Sequence, residues 1–154
     1  MRAARTIYRY WITLIWLAVV VQIMAAAYGA FYAADKLSSQ SGPDEQRTIS
    51  ETVFDHGFNV HSALGYLIFL AALLLLVIAA FARLGKRGIW LAAAVPIAVA
   101  VQIVLAWASE GQHGIGVLHG LNALVIFALT GYLTGEAWRA RRASEPAAVT
   151  APAA

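Results

Sequence analysis

The chain places its four histidines in two similar stretches, DHGFNVHSALGYLIF (55–69) and QHGIGVLHGLNALVIF (112–127). In both, a His-Gly pair is followed after a short apolar spacer by a second His and an apolar run. Imidazole serves as a proton carrier, a general base or a ligand to zinc, copper or haem iron. Cysteine is absent, which removes thiolate metal sites, iron–sulfur clusters, disulfides and covalent haem attachment. Any metal or cofactor must be held by imidazole, carboxylate, amide or main-chain groups. His61 and His119 lie inside apolar runs. An ionisable side chain there is costly unless paired, and it marks a functional site by default. His56 and His113 fall at the predicted water boundary. With Asp55 and Glu110 they offer a His/carboxylate set for a divalent ion, or they are solvated residues at helix starts.

The elements that position these residues are membrane spans. Of the 154 residues, 61% are hydrophobic and 12% charged, outside the balance of a soluble domain. Four segments, 11–34, 57–82, 88–108 and 114–135, carry no charge over about the 20 residues a helix needs to cross the hydrocarbon. Of the eleven Lys and Arg, all but Lys36 and Arg47 lie before the first span, between the second and third, or after the fourth. Both termini are therefore expected in the cytoplasm and the histidines toward the outer side of a bacterial cytoplasmic membrane. The basic clusters flank apolar runs and do not line one polar face, so nucleic acid is not an expected partner. The lipid bilayer is. The first apolar run is longer than the ~7–15 residues of a signal-peptide h-region, so it is expected to be retained. Residues 1–142 thus form one transmembrane domain, and 143–154, ASEPAAVTAPAA, a disordered tail. The outer loop, roughly 35–56, is expected to form a mobile cap.

The unit repeats. VVVQIMAA (19–26) in the first span matches VAVQIVLA (99–106) in the third, pairing Gln22 with Gln102, and the histidine motifs pair the second span with the fourth. The fold class is all-α: an up-down four-helix transmembrane bundle of two related hairpins. In such a bundle the second and fourth helices occupy diagonal corners, so His61 and His119 project toward each other and leave a slot for a flat macrocycle such as a b-type haem. Gly57, Gly65, Gly114, Gly116 and Gly120 flank them. They permit close approach of a ring system, or, as Gly116-x-x-x-Gly120, of another helix. Asn122 and Thr130 share a stripe with His119, and Asn59, Ser62 and Tyr66 form one on the second helix. Both stripes are expected to face the interior. No Asp, Glu, Lys or Arg lies within a span, which leaves no charged relay for a pump or ring for an ion filter. No catalytic triad or phosphate loop is present either. The open alternatives are a haem protein with a redox or other membrane-protein partner, a cofactor-free packing protein with structural histidines, and a His/carboxylate metal site at the outer rim.

HSALGYLIF and HGLNALVIF, each preceded by His-Gly, make residues 8–140 resemble a family of small four-helix actinobacterial membrane proteins of unknown function. More distantly, the pattern is similar to one half of haem A synthase, whose second and fourth helices present histidines to a haem on the outer side of the membrane. That resemblance implies haem ligation by His61 and His119; the residues beside them, Gly65, Gly120 and Asn122, are read as the rest of the cofactor site. The Glu before and Arg after the ligand in that family are replaced here by Gly57-Phe58-Asn59-Val60 and Ser62.

The charge asymmetry generates a topology test. A reporter active only in the cytoplasm should work when fused after Arg142 or inserted within residues 84–87, and fail when inserted at Gly42. Activity at Gly42 would reverse the orientation.

Overall fold

The computed structural model describes residues 2–109 and 112–143, apart from the side chains of Glu45 and His113. The tail from Ser144 onward and Glu110, a proposed rim carboxylate, lie outside the described residues. Four helices follow one another: α1 Arg2–Ser38, α2 Glu51–Phe81, α3 Gly85–Ala108 and α4 His113–Ala143. Each is long and apolar enough to cross a membrane. At 1.5 Å per residue the 37 residues of α1 extend ~55 Å, well beyond the ~30 Å hydrocarbon thickness. Helix α1 packs on α2 and α4, and α3 on α2 and α4, while the diagonal pairs do not touch along their main chains. The arrangement is an up-down four-helix bundle, as the hydropathy pattern requires.

The buried positions repeat as the sequence does. Ile12, Ile15 and Val19 of α1 correspond at constant offset to Ala92, Val95 and Val99 of α3, and Ile68, Ala72 and Leu75 of α2 to Ile126, Thr130 and Leu133 of α4, all buried. Ile12 and Ile15 of α1 are matched by the smaller Ala92 and Val95 of α3. Val19, Ile68, Val99 and Ile126, one from each helix, close a layer across the bundle. Beyond that layer, toward the histidine end, no described residue of α3 or α4 is buried. The core is thus dense in the half that carries the termini and open in the other half of the second hairpin. Phe31, Leu70, Phe81, Trp90 and Val117 are each at least 60% exposed, a surface suited to lipid and not to water.

The first hairpin stays tight at its histidine end through two glycines. A Cβ on Gly29 would come within 2.8 Å of the Phe58 ring and 2.9 Å of the Gly57 carbonyl oxygen, and one on Gly57 within 3.0 Å of the Tyr32 ring. The loop between α1 and α2 is shorter than expected. Helix α1 runs on to Ser38, and Ser50 caps α2, its hydroxyl accepting from the Val53 amide at 3.3 Å, so Asp55 and His56 are helical. What remains, 39–50, is tied by its own bonds: Gln40 exchanges two with the main chain of Thr48, at 2.7 and 3.2 Å, and Arg47 pairs with Asp44 at 2.8 Å.

These contacts predict opposite outcomes for two substitutions. Gly29→Ala should destabilise the bundle by ~1–3 kcal/mol through overpacking, whereas Gly116→Ala, whose Cβ would meet nothing within 4 Å, should not. Thermal unfolding in detergent, followed by circular dichroism, compares the two; equal melting temperatures would contradict the packing.

Candidate functional site

His61 and His119 face one another across the diagonal, with ring centroids 6.4 Å apart and planes inclined by 59°. Each sits two helical turns above the closing layer, on the same face as Ile68 and Ile126 respectively. Both rings are held in the same way. Nδ1 of His61 lies 3.2 Å from the main-chain oxygen of Gln22, and Nδ1 of His119 lies 3.1 Å from that of Gln102. A carbonyl only accepts, so Nδ1 carries the hydrogen and the Nε2 lone pair is left free in the neutral ring. The glutamines reciprocate: the Gln22 amide donates to the His61 carbonyl at 2.8 Å, and the Gln102 amide to that of His119 at 3.0 Å. Each hairpin is therefore clamped by two bonds between one glutamine and one histidine. The Gln22 amide also lies 3.5 Å from His61 Nε2, too long for an effective hydrogen bond.

The two clamps differ in one residue. Asn122 donates to the Gln102 side-chain oxygen at 2.7 Å and to the Ala98 carbonyl at 2.9 Å. The position equivalent to Asn122 on α2 is Leu64, and the Gln22 side-chain oxygen is buried without a partner. Gly65 is what admits the Gln22 amide, since a Cβ there would lie 3.2 Å from its nitrogen. Gly114, Gly116 and Gly120 have no neighbour within 4 Å of a would-be Cβ, so Gly116-x-x-x-Gly120 does not pack helices within this chain. Gly131 does, against Trp16, whose indole nitrogen lies 3.0 Å from the Cβ position.

The other expected positions divide. Thr130 is buried and bonds back to the Ile126 carbonyl at 2.8 Å, so the α4 stripe faces inward as read. The α2 stripe does not: Asn59, Ser62 and Tyr66 are exposed, because the inward face of α2 is set by Gly57, His61 and Ile68, at least about 100° away around the helix. His56 is exposed on α2 with its ring 5.3 Å from that of Tyr32. His113 is the first residue of α4. Among the described residues no three His, Asp or Glu side chains converge as a metal cluster. Gln22 and Gln102, seen in the sequence only as repeat markers, turn out to be the histidines' partners. Their signal was present: long polar side chains at one matched place in two otherwise apolar spans.

Four membrane-spanning helices and a paired imidazole site make this a multi-pass integral membrane protein of the four-helix bundle class. Over residues 52–109, which include His61 and Gln102 but not His119, the chain is similar to a family of unknown function (DUF6220). No curated protein and no solved structure matches it, and the comparisons show no link to haem A synthase.

The shared clamp predicts a shared tautomer. Nitrogen-15 NMR of selectively labelled protein should report Nδ1–H, with unprotonated Nε2, for the neutral rings of both His61 and His119. A signal from Nε2–H at either residue would contradict the carbonyl bonds.

Proposed function

We propose that His61 and His119 are the axial ligands of one b-type haem, held between α2 and α4 near the outer surface of a bacterial cytoplasmic membrane with both termini inside. The observation that carries the reading is the facing pair of rings 6.4 Å apart, each with Nδ1 spent on a main-chain carbonyl. Two imidazoles bound through Nε2 to one iron keep their ring centres about 6 Å apart, taking ~2 Å for each metal–nitrogen bond and ~1 Å from nitrogen to ring centre. A ligating histidine characteristically donates its other ring N–H to a carbonyl, which fixes the ring and raises its basicity. The open outer half of the second hairpin and the bare flanks of Gly114, Gly116 and Gly120 offer space for a ring system.

A haem held by His61 and His119 would supply one-electron redox chemistry. The chain's own residues supply orientation. Gln22 and Gln102 hold the imidazoles, Asn122 holds Gln102, and the layer at Val19, Ile68, Val99 and Ile126 closes the floor against the lower core. Electron transfer or haem handling with a membrane partner follows from such a site better than catalysis does. The second reading, histidines that serve only as interhelical clamps, is favoured by the same Nδ1 bonds. It leaves both Nε2 atoms and the space beside them without a role.

Absorption spectra of protein produced with ample haem separate the two. Wild type should give a low-spin haem spectrum. His61→Ala and His119→Ala should each abolish or sharply alter it, while His56→Ala and His113→Ala should leave it intact. A colourless wild type, or a spectrum indifferent to His61 and His119, would establish the clamp reading in its place.

A further inference from the structure

At the opposite end of the bundle, where both termini lie, α1, the turn after α2, α3 and α4 surround a cavity of about 960 Å³. Arg2, Arg5, Arg9, Arg87, Arg139 and Arg141 line it, against the single carboxylate of Glu136. Positive charge on this side is expected from topology alone. Topology does not require that arginines from three helices converge on one space, nor that they be held in place, and here several are. Arg5 donates to the Ala82 carbonyl at 3.3 Å. The Arg9 guanidinium lies over Tyr10 and Trp138, 5.4 and 5.0 Å from their ring centres, and its Nε is buried with no hydrogen-bond partner. Arg87 donates to Tyr132 and Glu136, at 2.5 and 3.2 Å, and Arg141 lies over Trp138 at 5.6 Å. The inner wall is apolar, formed by Leu91 and Leu133 among others.

We propose that this cavity binds the phosphate-bearing headgroup of an anionic membrane phospholipid. A planar guanidinium presents paired N–H donors that match phosphate oxygens, and basic pockets between transmembrane helices on the cytoplasmic side suit such headgroups. The volume falls in the range of small-molecule sites. An apolar wall next to the arginines accommodates the glycerol and the start of an acyl chain, which favours a lipid over a free phosphate ion. The site is remote from the histidines and does not depend on the haem reading.

Thermal unfolding of the detergent-purified full chain, titrated with phosphatidylglycerol, phosphatidylcholine or inorganic phosphate, tests it. Phosphatidylglycerol should raise the melting temperature saturably, and phosphatidylcholine should not. Arg5→Gln/Arg9→Gln should weaken half-saturation at least tenfold, whereas Arg83→Gln/Lys86→Gln, which removes two charges of the same end outside the cavity, should leave it unchanged. Should the first variant fail to fold, Glu136→Gln keeps the test open: removing the competing carboxylate should tighten binding. Equal losses in the two double variants would mean diffuse surface charge and overturn the site. So would indifference to phosphatidylglycerol or to Glu136→Gln, and an equal response to inorganic phosphate would overturn the lipid assignment.

Discussion

A side-chain N–H inside a hydrocarbon layer has no water to turn to, and the structure is organised around how two histidines meet that constraint. Each imidazole donates to a main-chain carbonyl of the neighbouring helix, and the glutamine bearing that carbonyl donates its amide back to the histidine's own main chain. Leaving such groups unpaired in a low-dielectric interior costs several kcal/mol. The two bonds therefore fix both the rotation and the axial register of α1 against α2, and of α3 against α4. Apolar packing in lipid offers little driving force to do the same, since the tails are as apolar as the side chains they would replace.

With the register fixed, the core divides by depth. Below the layer at Val19, Ile68, Val99 and Ile126 the helices pack around one contiguous cluster of buried apolar residues. Indole nitrogens tie the periphery there, Trp11 to the Ala71 carbonyl at 2.9 Å and Trp138 to Thr13 at 3.1 Å. Above it only the first hairpin closes, at Gly29 and Gly57, and the imidazoles face each other over the remaining gap. A bundle built this way has a buried core beneath the rings and, in its second hairpin, no buried residue beside them.

Much of this was legible in the sequence. Charge-free runs give the spans, and the order of the spans gives the diagonal placement of His61 and His119, because an up-down bundle has no other corner for the second and fourth helices. The clamp was not legible, although Gln22 and Gln102 were visible as a matched pair, because a bond between adjacent helices depends on their relative register and hydropathy does not report it. The α2 stripe was misread for a related reason. Asn59, Ser62 and Tyr66 lie in the half of α2 that carries His61, where polar groups on the exposed face can reach toward the headgroup region, so polarity there does not mark the inward face. The loop between α1 and α2 shrank because α1 continues to Ser38 and the Ser50 cap starts α2 at Glu51, ahead of the charge-free run.

The difference between Asn122 and Leu64 has a mechanical consequence. Where Asn122 braces it, the Gln102 side chain is restrained at both its nitrogen and its oxygen, and bonds in such a chain polarise and reinforce one another. Gln22 is restrained at its nitrogen alone, beside a glycine that leaves it room. Two histidines that look interchangeable in the sequence therefore rest on supports of unequal stiffness. Strain applied across the pair, by a guest molecule or by bending of the bilayer, will be taken up first on the His61 side.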